Sequence, residues 1–102
     1  MKHRFKVTLE RLSEQHGEKS QNDMLQFEVE NHDDIFKLVD RMKNRGDFTK
    51  ETSEALVVGL KIFSEVMLEN RKHPLFTSFA PHFKNFMTDL KGGPQKPTAH
   101  PE

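Results

Sequence analysis

The sequence predicts an α+β fold: an antiparallel β-hairpin followed by three α-helices packed on its apolar face. Three observations carry this. Two short stretches near the N-terminus alternate apolar and polar residues, the signature of half-buried strands. Everything after them repeats apolar residues at three- and four-residue spacing, the signature of helices. The longest such repeat, Thr49 to Arg71, places Ala55, Leu56, Gly59, Leu60, Ile62, Phe63, Val66 and Met67 on one arc, with Glu54, Lys61 and Glu65 opposite. A helix with so wide an apolar face is not stable alone in water and must be covered there. Gly59 costs roughly 1 kcal/mol of helix propensity against alanine, so close approach of another element is its expected compensation.

Taken in order, Phe5, Val7 and Leu9 alternate with Arg4, Lys6, Thr8 and Glu10, giving the first strand. Residues Ser13 to Asp23 are polar or glycine and read as a mobile loop. Leu25, Phe27 and Val29 alternate with Gln26, Glu28 and Glu30, giving the second strand. The polar faces are complementary, with Arg4 and Lys6 on one strand against Glu28 and Glu30 on the other. Opposed pairs of this kind contribute at most about 1 kcal/mol each.

Asn31 is the expected N-cap of the first helix, with Asp33 and Asp34 in its first turn at the positive end of the dipole. Ile35, Leu38, Val39 and Met42 form its stripe, and Gly46 is the expected stop. Thr49 caps the central helix, which ends near Arg71 and Lys72 ahead of His73-Pro74. Phe76, Phe79, Phe83, Phe86, Met87 and Leu90 lie on one face at helical spacing, with Leu75 and Phe76 in a turn that precedes the third helix. It is placed from about Phe79 to Lys91 with Ser78 as cap, because Pro81 is tolerated only in a first turn. The expected core is Phe5, Val7, Leu9, Leu25, Phe27, Val29, Leu38, Leu60, Phe63 and Met67. The expected domain is 1–92, with 93–102 a disordered, dispensable tail.

The chain has 102 residues, enough for one modest core. Sixteen Lys and Arg balance sixteen Asp and Glu, so no net charge steers it toward nucleic acid or anionic membrane. There is no cysteine, which removes disulfides, thiol catalysis and thiolate zinc sites and suits a reducing cytoplasm. No signal peptide is read at the N-terminus, where strand-like alternation follows Met1 to Arg4. No run approaches the roughly 18 apolar residues of a membrane span. The expected localisation is cytoplasmic.

Three segments resemble a small bacterial family known as domain of unknown function 3861. They are Phe27-Glu28-Val29-Glu30-Asn31-His32-Asp33-Asp34, Phe63-Ser64-Glu65-Val66-Met67-Leu68, and Arg71-Lys72-His73-Pro74-Leu75-Phe76. The resemblance covers residues 3 to 92. It implies a stand-alone bacterial domain and brings no activity, cofactor or catalytic residue.

Two polar clusters are candidates for chemistry. His32 and Asp33 could serve acid–base or metal chemistry, but a charged helix start accounts for all of Asn31-His32-Asp33-Asp34 except His32. Arg71, Lys72 and His73 could hold an anion, but cations at a helix C-terminus also complement the dipole. His73 and His82 have no recognised metal-ligand spacing, and no serine sits in a nucleophile motif. The phenylalanine stripe reads as core rather than as a ligand pocket. The functional expectation is a non-catalytic interaction module without a cofactor, self-associating as a homodimer through a sheet edge or through the phenylalanine-rich helix. The alternative is a small ligand- or anion-binding protein or enzyme with a site near His32, Asp33 and His73.

Overall fold

The structure, a computed structural model, describes residues 2–13 and 23–92. The expected tail and most of the expected loop lie outside them. The chain divides into two compact units, Met1–Asp33 and Asp34–Glu102.

The first unit is the hairpin. β1 (His3–Glu10) pairs antiparallel with β2 (Met24–Asn31) in a two-stranded sheet. The register sets Phe5 opposite Val29, Val7 opposite Phe27 and Leu9 opposite Leu25. Because side chains alternate along a strand, all six share one face. Arg4 opposite Glu30, Lys6 opposite Glu28 and Thr8 opposite Gln26 form the polar face, as the sequence predicts. Beyond the strands the Arg11 N–H donates to the Asp23 carbonyl at 3.0 Å, and the Arg11 guanidinium pairs with the Asp23 carboxylate.

The second unit is helical. α1 (Ile35–Arg45) is followed by α2 (Lys50–Glu69), the one-turn α3 (Pro74–Thr77) and α4 (Ala80–Lys91). Thr49 caps α2 as expected, its Oγ1 accepting from the Thr52 N–H at 3.1 Å. Gly46 stops α1 at φ 89°, in the left-handed region that glycine enters without steric cost.

Other expected ends are corrected. Asp34, not Asn31, caps α1, its Oδ1 accepting from the Phe36 N–H at 3.1 Å. Asn31 is still in the strand ladder opposite His3, so its side chain closes an Asx turn on the Asp33 N–H instead. α2 stops at Glu69, because the Asn70 side chain donates to the Val66 carbonyl at 2.8 Å and takes a last helical acceptor. The turn expected to hold Leu75 and Phe76 ahead of the last helix is itself one turn of helix: His73 Nδ1 accepts from the Leu75 N–H at 3.1 Å and starts α3 at Pro74. Ser78 therefore ends α3, and Phe79 holds the N-cap position of α4 with no side-chain bond.

The core also differs from expectation. Ile35, Val39 and Met42 of α1 are buried, as are Val57 and Ser53 of α2. The two helices pack together, with Lys43 Nζ reaching Glu54 Oε2 at 3.5 Å. Leu38, Leu60 and Met67 are only half-buried. Leu9, Leu25 and Phe27, expected in the core, are 65%, 56% and 38% exposed. Glu65, expected toward solvent, is buried, whereas Ala55 and Gly59 of the predicted apolar arc are exposed. The arc fails because α2 is covered on more than one side. Phe63 lies outside the α1–α2 core and meets Phe76, Phe79 and Phe83 edge-on at ring-centroid distances of 6.0–6.1 Å. Nothing lies within 4 Å of where a Cβ on Gly59 would stand, so the expected close approach there is absent among the described residues. The Arg45 guanidinium fastens the end of α1 to α4 by donating to the Leu90 carbonyl.

Candidate functional site

The apolar hairpin face is graded along its length. Phe5, Val7 and Val29 are half-buried, while Phe27, Leu9 and Leu25 lie exposed toward the loop end. There Leu9, Glu10, Arg11, Asp23, Met24 and Leu25 line an open concavity of about 380 Å³. Sequence reasoning did not single this place out. Its signal was weak: two leucines at strand ends, which periodicity assigns to a face without saying how deeply.

On the polar face Arg4 is ion-paired with Glu28, two residues from its register partner Glu30, so the predicted charge complementarity is realised diagonally. Glu10 stands opposite Met24. Among the described residues no third strand joins the sheet, so β1 and β2 each keep one edge outside the ladder.

The polar candidates occupy two places. His32 and Asp33 lie exposed in the turn between β2 and α1, where the Asp33 N–H is held by Asn31. Arg71, Lys72 and His73 lie exposed in the turn after α2, the first two beyond its Asn70 cap and the third capping α3. His73 thus has a structural task that its sequence position alone did not reveal. Among the described residues no group of three His, Cys, Asp or Glu is arranged to hold a metal ion. No described helix is long and apolar enough to cross a membrane.

Residues 3–92 match the domain of unknown function DUF3861. The chain belongs to this family. It is also similar to a protein of unknown function from Pectobacterium atrosepticum seen in a crystal structure. The two are 39% identical, with a TM-score of 0.80 over 90% of this chain and 99% of that one. The comparison with curated proteins gives no match.

The family assignment confirms the resemblance carried by the three sequence segments and brings no substrate with it. The described residues present an exposed apolar strip, two strand edges outside the ladder and exposed polar turns.

Proposed function

We propose that the chain is a non-catalytic interaction module that associates with its own copy through the β-hairpin, working in the cytoplasm. One observation carries the reading. Among the described residues the sheet has two strands, yet its apolar face continues to the exposed Phe27, Leu9 and Leu25. A two-stranded ribbon is marginal by itself in water, and an exposed apolar strip beside open strand edges favours association. The competing reading, a ligand or anion site at His32, Asp33, Arg71, Lys72 and His73, has only exposed side chains to build with. Ligand sites are concave and take most of the ligand surface out of water. The absence of cysteine suits the reducing compartment this reading assigns.

The test is light scattering on the purified chain across about 1–100 μM. The expected mass is twice the 11.9 kDa of one chain. A mass of one chain at about 100 μM limits association to weaker than about −5.5 kcal/mol and refutes the proposal.

A further inference from the structure

The backbone parity of the hairpin decides which groups face its edges. The Arg11 N–H donates to the Asp23 carbonyl, and these two residues continue the same register by one step. In an antiparallel ladder the N–H and C=O of one residue point the same way, and the direction alternates from residue to residue. The odd-numbered residues of β1 therefore turn their backbone groups toward β2. Arg4, Lys6, Thr8 and Glu10 turn theirs to the outer edge. By the same parity the outer edge of β2 belongs to Met24, Gln26, Glu28 and Glu30.

We infer that the β1 edge pairs antiparallel with β1 of a second copy about a two-fold axis at Val7, giving a continuous sheet in the order β2-β1-β1-β2. This rests on the self-association proposed above and specifies its edge and register. Three features select it. First, a two-fold axis at Val7 sets Arg4 opposite Glu10 of the copy, and Glu10 opposite Arg4. Glu10 stands opposite Met24 in its own hairpin, and the pairing sets an opposite charge against it. Second, the register brings Lys6 opposite Thr8, so the outward backbone groups of all four residues meet partners, and Phe5 opposite Leu9 on the apolar face. The exposed Leu9 thereby gains an aromatic neighbour. Third, the neighbouring registers are less complementary. An axis at Lys6 opposes two lysines, and an axis at Thr8, although it gives Glu10 the cation Lys6, sets the apolar Phe5 against Arg11.

The β2 edge lacks this self-complementarity. β2 contains no Lys or Arg, so no two-fold register puts a cation opposite Glu28 or Glu30. Pairing β1 with β2 of another copy would match charges, but it leaves one edge open on each side and grows without closing.

The absence of cysteine makes the test direct. At a non-hydrogen-bonded antiparallel pair the Cα atoms stand about 4.5 Å apart, inside the roughly 4.4–6.8 Å a disulfide spans. Val7→Cys under mild oxidation is expected to give a covalent dimer, and Phe27→Cys, at the equivalent centre of β2, is expected to remain uncrosslinked. Because Val7→Cys alters a half-buried position, charge reversal supplies an independent reading. Glu10→Arg opposes like charges at Arg4 and is expected to weaken dimerisation about tenfold. Adding Arg4→Glu is expected to restore it. A wild-type dimer in which Val7→Cys fails to crosslink and Glu10→Arg dimerises normally overturns the β1 register and leaves self-association standing. Crosslinking through Phe27→Cys instead moves the interface to β2 and overturns it too. Masses that climb beyond the dimer with concentration overturn the closed pairing, and a wild-type monomer overturns both proposals.

Discussion

Replacing Gly59 by alanine is expected to stabilise the protein. Gly59 lies in the interior of α2, the 20-residue helix Lys50–Glu69, is exposed, and has no described atom within 4 Å of the added Cβ. Glycine in a helix interior is about 0.8–1.0 kcal/mol less favourable than alanine, because it loses more backbone entropy on folding. With open space around the methyl, no overpacking offsets this gain. For a domain of this size a gain of about 1 kcal/mol raises Tm by about 4–8 °C. In urea, with a slope of about 1–3 kcal/mol per molar, the midpoint rises by roughly 0.3–1 M with the slope unchanged. Calorimetry and urea unfolding followed by circular dichroism give both numbers on the same sample. A Tm equal to or below that of the wild type refutes the reasoning, and would mean that another surface comes against Gly59 closely enough to be pushed away. Light scattering on the variant then shows whether that surface belongs to a second copy.

Ser53 is fully buried and its hydroxyl has no hydrogen-bond partner among the described residues; Ser53→Ala removes roughly 1–3 kcal/mol of desolvation penalty and improves helix propensity, so a higher Tm is expected and a lower one would reveal a bonded hydroxyl. Met42, 7% exposed, is expected to lose about 2–5 kcal/mol as Met42→Ala, whereas the half-buried Leu60 should lose clearly less as Leu60→Ala; equal losses in chemical denaturation would contradict the placement of the core between α1 and α2. Hydrogen bonds from Arg45 hold the Asp47 carboxyl below its ordinary value of 3.8. A depressed folded-state pKa contributes stability that is present above 3.8 and fades as pH falls through the folded value. An NMR titration should place the Asp47 midpoint below 3.8 and return it toward that value in Arg45→Ala; an unmoved midpoint breaks the assignment.

Much of the hairpin was legible because strand periodicity is local. Alternation at residues 4–10 and 24–30 assigns each side chain to a face, and a one-residue slip would turn every apolar side chain to the polar side. The stripe of Ile35, Val39 and Met42, the Thr49 cap and the Gly46 stop were legible for the same reason. Each depends on residues within one or two turns. The proposed edge was half-legible. Arg4, Lys6 and Glu10 could be read as a charged face, but which of them direct their backbone groups outward depends on the pairing parity shown by Arg11 and Asp23.

Where two local signals competed, only the folded chain chose. Asn31 and Asp34 are both good caps, and the ladder partner of Asn31 gave the helix to Asp34. Ser78 and His73 both stand before prolines or aromatics, and the His73 side chain started a separate turn.

By itself the sequence determined which face each strand residue takes, where α1 stops and where α2 begins, and the family to which the chain belongs. These depend on backbone stereochemistry and on the order of side chains along it. The tertiary structure alone decided how deep each apolar residue lies: Val57 and Met42 inside, Leu9 and Leu25 outside, Glu65 buried and Gly59 bare. A helical period names a direction around an axis. Burial depends on what arrives from that direction, and on α2 coverage comes from α1 on one side and from the phenylalanine cluster at Phe63 on another.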